Sequence, residues 1–241
     1  MAILKVARLG HPVLRRVAAP VPVPEIRRPE TQRLIDDMIE TMREYNGAGL
    51  AATQVHALEQ IAVIEVLANP RYPDAPQIPL TVIINPIVTP LSDAMEEGWE
   101  GCLSIPDLRG MVPRHTAVRL QAYDRGGEPV DLIAKDFFAR VIQHESDHLN
   151  GVVFLDRMKD LSTLTHLVEW NKYWHERRWR DRAGGAGCSP HGAARSGPPS
   201  SRPPRAARRS GEWVTEPDPR GLRPATGPAR YTRLCFVNNA S

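Results

Sequence analysis

Five consecutive residues, His144-Glu145-Ser146-Asp147-His148, bring two imidazoles and a carboxylate together at a spacing that suits a metal ion. On a helix, positions i and i+4 lie one above the other, so both rings point at one spot. Two neutral imidazoles suit zinc or ferrous iron. Glu145 follows the first of them, where it can reach an attacking water without ligating the metal. It is the candidate general base, taking a proton from that water and returning it to the leaving group. With 8 His and 15 Glu in 241 residues, such a run arises by chance in roughly 2% of shuffled chains. The neighbours Phe137, Phe138, Val141, Ile142 and Leu149 place it on a buried helix. Two histidines and a glutamate are costly there without a partner such as a metal.

A catalytic metal takes three protein ligands and keeps one position open. Metzincin proteases continue the run to a third histidine; here Gly151 fits that pattern's glycine, but Phe154 stands at its last position. A thermolysin-like third ligand would be Glu169, although Leu167-Val168-Glu169-Trp170 reads as an ordinary amphipathic helix. The other candidate is Cys102, within Glu100-Gly101-Cys102-Leu103-Ser104. Free cysteines are mostly buried as small hydrophobes, so residue type alone leaves both candidates open.

The elements that must position these groups read as follows. Leu34, Met38, Met42 and Tyr45 recur at steps of four and three, predicting a helix over 30–45 that stops at Asn46-Gly47. Short β-branched runs at 61–66 and 81–84 predict strands. Val118, Leu120 and Ala122 alternate with polar residues, and Asp124-Arg125-Gly126-Gly127-Glu128 turns the chain into a second strand over 130–133. A second helix over 135–149 carries the metal run and ends at Asn150-Gly151. A third is predicted over 161–180, with Leu161, Leu164, Leu167, Val168 and Trp174 on its apolar side. Strands without regular βαβ alternation predict an α+β fold.

Hydrophobic residues make up 41% of the chain, enough for a core, and no apolar run approaches the roughly 20 residues of a spanning helix. The opening residues lack the apolar stretch and cleavage site of a secretory signal. Three scattered cysteines, Cys102, Cys188 and Cys235, are too few for a disulfide framework. Together these predict a cytoplasmic protein with no membrane partner. The net charge of +3 divides unevenly, −4 over residues 1–181 and +7 over 182–241. A basic body that binds nucleic acid over its whole surface is therefore not supported. The last 60 residues hold 8 Gly and 9 Pro, take all their basic residues as Arg, and show no apolar periodicity. The expected organisation is one domain over 1–181 and a disordered tail over 182–241.

Three segments carry a resemblance. Residues 47–54 read G-x-G-L-A-A-x-Q, residues 100–104 read E-G-C-L-S, and residues 143–148 read Q-H-E-x-D-H. In this order and spacing they resemble the motifs of the peptide deformylase family. Leu9-Gly10-His11-Pro12-Val13-Leu14-Arg15 is similar to its N-terminal segment, and the likeness spans residues 3–180. The resemblance implies antiparallel sheets around a central helix carrying the H-E-x-x-H run, followed by a C-terminal helix. It implies hydrolysis of the formyl group from N-formyl-methionyl peptides, releasing formate. It makes Cys102, His144 and His148 the metal ligands and Glu145 the base. It also makes Gln54 and the Leu103 N–H the oxyanion donors, and Gly49 and Arg109 substrate contacts. Val141, one helical turn before His144, is either a wall for the methionine side chain or a plain core valine. The implied ion is ferrous iron, with zinc, nickel or cobalt able to replace it. A basic strip of Lys172, Arg177, Arg178, Arg180 and Arg182 is the candidate ribosome contact. Ala48 and His56 depart from the family pattern, where Ile and Gly are frequent, and bear on the methionine pocket. The rival readings are another metal-dependent amidase or protease, and a non-catalytic ribosome-binding relative.

Overall fold

The computed structural model describes residues 2–67 and 76–174. In chain order its elements begin with α1 (Val23–Ile26), α2 (Pro29–Glu44), β1 (Gly49–Ala51), β2 (Ile61–Val66) and β3 (Ile78–Pro90). There follow β4 (Met95–Cys102), β5 (Ile105–His115), β6 (Ala117–Tyr123), β7 (Pro129–Lys135) and α3 (Asp136–Leu149). The described chain closes with α4 (Phe154–Arg157), β8 (Thr165–His166) and α5 (Leu167–Tyr173). Five strands form one sheet in the order β1-β2-β3-β6-β7, and three form another in the order β4-β5-β8. Every pairing in both is antiparallel. The fold is α+β.

β2 explains how the large sheet sits. All six of its residues are buried because both faces are covered. Ile61 and Val63 pack with Ile35, Met38 and Met42 of α2, while Ala62, Ile64 and Val66 pack with Ala139 and Ile142 of α3. Successive side chains point to opposite faces, so one strand supplies two cores. Glu65 falls on the α2 side and accepts hydrogen bonds from Arg43 at 2.7 and 2.9 Å. Each large aliphatic side chain buried this way contributes about 1.5–3 kcal/mol by leaving water. The other flank of α3, with His144 and His148, turns toward Cys102 at the end of β4.

Several expectations change on contact with the structure. The strand read at 81–84 is the middle of thirteen-residue β3, whose Asn85-Pro86 does not end it. Asn85 takes a left-handed φ of 53° at a register shift, and its side chain pairs with Val21 N–H and C=O, both at 2.8 Å. The bulge absorbs the proline. The third helix is not continuous. Asp160 caps a 3-10 turn at Leu161–Thr163, and Thr165–His166 pair with Arg109 and Leu108 of β5 before α5 begins. Residues 175–180 of that helix, and the tail over 182–241, lie outside the described residues. The hairpin at 124–128 does form, closed by Asp124 Oδ1 accepting from Glu128 N–H at 2.9 Å.

Candidate metal centre

β4 and β5 form a hairpin in which Cys102 pairs with Ile105, leaving Leu103 and Ser104 as the turn. The thiol therefore sits at the tip of a tight two-strand ribbon, where its position is set by the ladder behind it. α3 presents His144 and His148 one turn apart, their ring centroids 5.0 Å from each other. One potential ligand atom from each of the three lies within 4.8 Å of the others, and Cys102 Sγ is 3.2 Å from His148 Nε2. Cys102 and His148 are buried, and the His144 side chain is 11% exposed. Cys102 completes the group; Glu169 lies in the first turn of α5 and is not part of it.

Burial alone raises the Cys102 thiol, but the charge of His148 and hydrogen bonds from both histidines outweigh it and hold the thiol well below its ordinary range. The thiolate is the ligating form. For His144, burial works against protonation, yet hydrogen bonds to Cys102 and Glu100 carry its pKa well above the ordinary value. Glu100 Oε2 meets His144 Nδ1 at 2.9 Å. A carboxylate only accepts, so Nδ1 carries a proton; in the neutral ring, the form that can ligate, the other nitrogen is then the free one.

Glu100 itself is fixed by Arg114 Nε and Nη2 at 2.9 and 3.0 Å and by Arg140 Nη1 at 2.9 Å. Burial would raise its pKa, but His144 and Arg114 hold it far below the usual carboxylate range. Arg114 also donates to Asp147 at 2.6 Å, and Arg157 grips the same carboxylate from the surface at 2.6 Å. Removing one partner from so buried a cluster leaves an uncompensated charge, a loss of about 3–5 kcal/mol. No role for Glu100, Arg114, Arg140 or Asp147 follows from residue type or spacing alone. These residues are scattered between positions 100 and 147 with no shared spacing, and only the fold reveals them as a cluster.

Glu145 lies beside the ligands with its Oε2 buried and without a hydrogen-bond partner among the described residues. Burial, partly offset by His144 and His148, raises its pKa to about 7. Gly49 of β1 faces it so closely that a Cβ there would lie 2.7 Å from Glu145 Cδ. A 3-10 turn, Ala52–Val55, brings Gln54 in from the opposite side, with Nε2 3.4 Å from Cys102 Sγ. These groups line an open cleft. Ala48, Trp99, Leu103, Phe137 and Val141 complete much of its wall.

Two residues singled out from the sequence stand apart from that wall. Arg109 is 2% exposed; its guanidinium lies 5.1 Å from the Trp170 ring centroid and backs onto Gly101. His56 caps the 3-10 turn with a left-handed φ of 70°, a conformation that glycine adopts without strain. Its ring packs edge-on against His11 at 4.8 Å.

The polypeptide deformylase family model matches residues 3–163, which hold every group just described except Trp170. The chain belongs to the polypeptide deformylase family. "Peptide deformylase 2" of Ralstonia nicotianae is 50% identical over 157 residues, covering 65% of this chain and 88% of the relative. "Peptide deformylase 1" of Bordetella pertussis is 48% identical over the same length and the same shares. Among solved deformylases, the class I type b peptide deformylase from Acinetobacter baumannii bound to Met-Ala-Ser superposes with a TM-score of 0.63 at 41% identity. That match covers 65% of this chain and 99% of the other. The peptide deformylase from Synechococcus elongatus in complex with actinonin superposes with a TM-score of 0.59 at 34% identity, covering 77% and 88%. Nothing in these likenesses favours a different amidase or protease. No helix among the described residues is long and apolar enough to cross a membrane.

Proposed function

We propose that the chain is a deformylase in which Cys102, His144 and His148 hold one divalent ion and Glu145 moves the proton. The substrate is the formyl-methionine end of a nascent polypeptide, and the products are formate and the free amine. The observation that carries the reading is the convergence of a thiol and two imidazoles within 4.8 Å, beside a buried carboxylate whose Oε2 has no hydrogen-bond partner among the described residues. The donor set fits a divalent transition metal: two imidazoles and a thiol already biased toward thiolate. Ferrous iron is the proposed occupant, and zinc, nickel or cobalt suit the same donors. When bound, such an ion supplies Lewis acidity toward the formyl carbonyl and acidifies the attacking water.

The protein's own groups do the rest. Glu145 takes the proton from the attacking water and passes it to the methionine nitrogen as the C–N bond breaks, so the carboxylate is regenerated. The formyl oxygen gains charge as the tetrahedral centre forms. Gln54 Nε2 and the Leu103 N–H are the proposed donors to it, each worth roughly 3–4 kcal/mol of transition-state stabilisation. Gly49, whose side-chain space the Glu145 carboxylate fills, brings its backbone to the substrate beside that base. Ala48, Phe137 and Val141 form the apolar wall for the methionine side chain. Arg109 contributes to the peptide site through Gly101 and Trp170, against which it packs. α3 is the central helix of this arrangement, with a sheet on either side. A nascent-chain substrate and a reduced thiol ligand support a cytoplasmic setting. Ribosome contact through Lys172, Arg177, Arg178, Arg180 and Arg182 is a proposal from sequence; Lys172 alone of these lies within the described residues. Unchanged ribosome co-sedimentation after removal of residues 170–241 would overturn it.

Metal analysis separates the assigned roles. Protein reconstituted with iron under nitrogen should carry one ion per chain. Cys102→Ser, His144→Ala and His148→Ala should each lose it to a chelator, while Glu145→Gln keeps it. An ion retained by all three ligand variants would contradict the assignment.

A further inference from the structure

Ser104, the second residue of the hairpin turn, is fully buried, and its hydroxyl oxygen, N–H and C=O each have a partner at the site or on the segment bracing it. Its Oγ accepts a hydrogen bond from Gln54 Nε2 at 3.1 Å. Its N–H donates to Cys102 Sγ at 3.4 Å, and its C=O accepts from Leu9 N–H at 2.8 Å. Gln54 is held at its other end, where Ala51 N–H donates to Oε1 at 2.9 Å. A backbone N–H pairs only with the amide oxygen, so this contact fixes which way round the Gln54 amide lies.

Nε2 then has two hydrogens to place. One goes to Ser104 Oγ; the other faces Cys102 Sγ and the ligand cluster. Without that hydroxyl the amide keeps Ala51 and the longer 3.4 Å contact to Cys102 Sγ, a weak acceptor, about a last torsion that has a broad minimum. Ser104 supplies the second fixed point. The N-terminal segment braces both partners, with Ala7 N–H donating to Gln54 C=O at 2.7 Å as Leu9 does to Ser104.

We infer that Ser104 is a positioning residue that acts through Gln54. Its hydroxyl orients the amide so that the second N–H is aimed, before substrate arrives, at the place where the oxyanion develops. This rests on Gln54 being an oxyanion donor. A donor contributes most when it needs no reorientation during the reaction. Ser104→Ala deletes the acceptor while leaving the main-chain bonds of the turn in place.

The test uses zinc-loaded, diamagnetic protein in four forms: wild type, Ser104→Ala, Gln54→Ala and the double variant. Each is assayed for kcat and KM on a formyl-Met peptide, for melting temperature, and for the Gln54 side-chain amide signals by ¹⁵N NMR. Ser104→Ala should lower kcat about tenfold with KM within about twofold and a near wild-type melting temperature. Its Gln54 amide signals should shift and broaden, and the double variant should be no slower than Gln54→Ala. Wild-type kcat in Ser104→Ala, beside an impaired Gln54→Ala, overturns the role of Ser104. Losses that multiply in the double variant, or unperturbed Gln54 amide signals in a slow Ser104→Ala, overturn it too. Wild-type turnover in Gln54→Ala instead overturns the assignment of Gln54 and, with it, the inference.

Discussion

A base that must take a proton from water and then release it works best with a pKa near the working pH. Burial brings Glu145 to about 7, and its Oε2, without a hydrogen-bond partner among the described residues, leaves one oxygen available for the transfer. Gly49 belongs to the same device, because the carboxylate occupies space that a side chain on β1 would fill. Gly49→Ala places a methyl 2.7 Å from Glu145 Cδ, so the carboxylate must move. A displaced base should lower kcat at least tenfold while the metal content stays at one per chain. Steady-state kinetics beside metal analysis on the variant checks this, and unchanged kcat would remove Gly49 from the site. His144 shows the same logic on the ligand side, since Glu100 fixes the ring through Nδ1 and Arg114 and Arg140 fix Glu100.

Among the elements, the segment before α1 ties the site-bearing pieces together. Ala7 bonds the Gln54 carbonyl, Leu9 the Ser104 carbonyl, and Ala18 the Leu149 carbonyl at the end of α3. Arg15 closes the belt on α4 through a paired contact with Asp156, one arm of which is 3.2 Å long. Arg15 holds the Asp156 carboxyl below its ordinary value of 3.8, helped by the Val153 N–H. A carboxyl depressed in the folded state contributes stability above its unfolded value, and loses it as pH falls through the folded one. Asp156→Asn should therefore lower the urea midpoint at pH 6, and the difference should shrink below pH 3.8. Equal differences at both pH values would contradict the link; the pair is partly exposed, so the effect is small. The helices α2 and α3 and strand β2 were readable because their apolar spacing matches the packing they enter. The β4–β5 hairpin was not. Gly98, Gly101, Pro106, Gly110 and Pro113 interrupt its alternation, and Gly98, Gly101 and Gly110 are there because Arg140, Arg109 and Met158 press against them. Hence Cys102 was readable as a candidate ligand only through the family motif, while the two candidate histidines stood out by their spacing. The charge cluster of Glu100, Arg114 and Asp147 was unreadable for a related reason: the hairpin and α3 meet only in three dimensions.

At the scale of the whole molecule, the charge asymmetry and the family match divide the chain in the same region. The family model ends at residue 163, and the last group of the metal site is His148. Residues 182–241 supply all of the positive net charge and none of the proposed chemistry. A chain ending at Asp181 should keep kcat/KM within about twofold of the full chain on a short formyl-Met peptide. A larger loss would show that the tail takes part in turnover. The account as a whole stands on the metal triad, with Glu145 beside it, cleaving a formyl group. The most direct measurement is formate release from a formyl-Met peptide by protein purified anaerobically with iron, beside Glu145→Gln and an acetyl-Met control. Rapid release by the wild-type protein, a loss of at least 100-fold in Glu145→Gln, and an untouched acetyl peptide are predicted. No release from fully metal-loaded wild-type protein, or equal release from the Glu145→Gln protein, would contradict it.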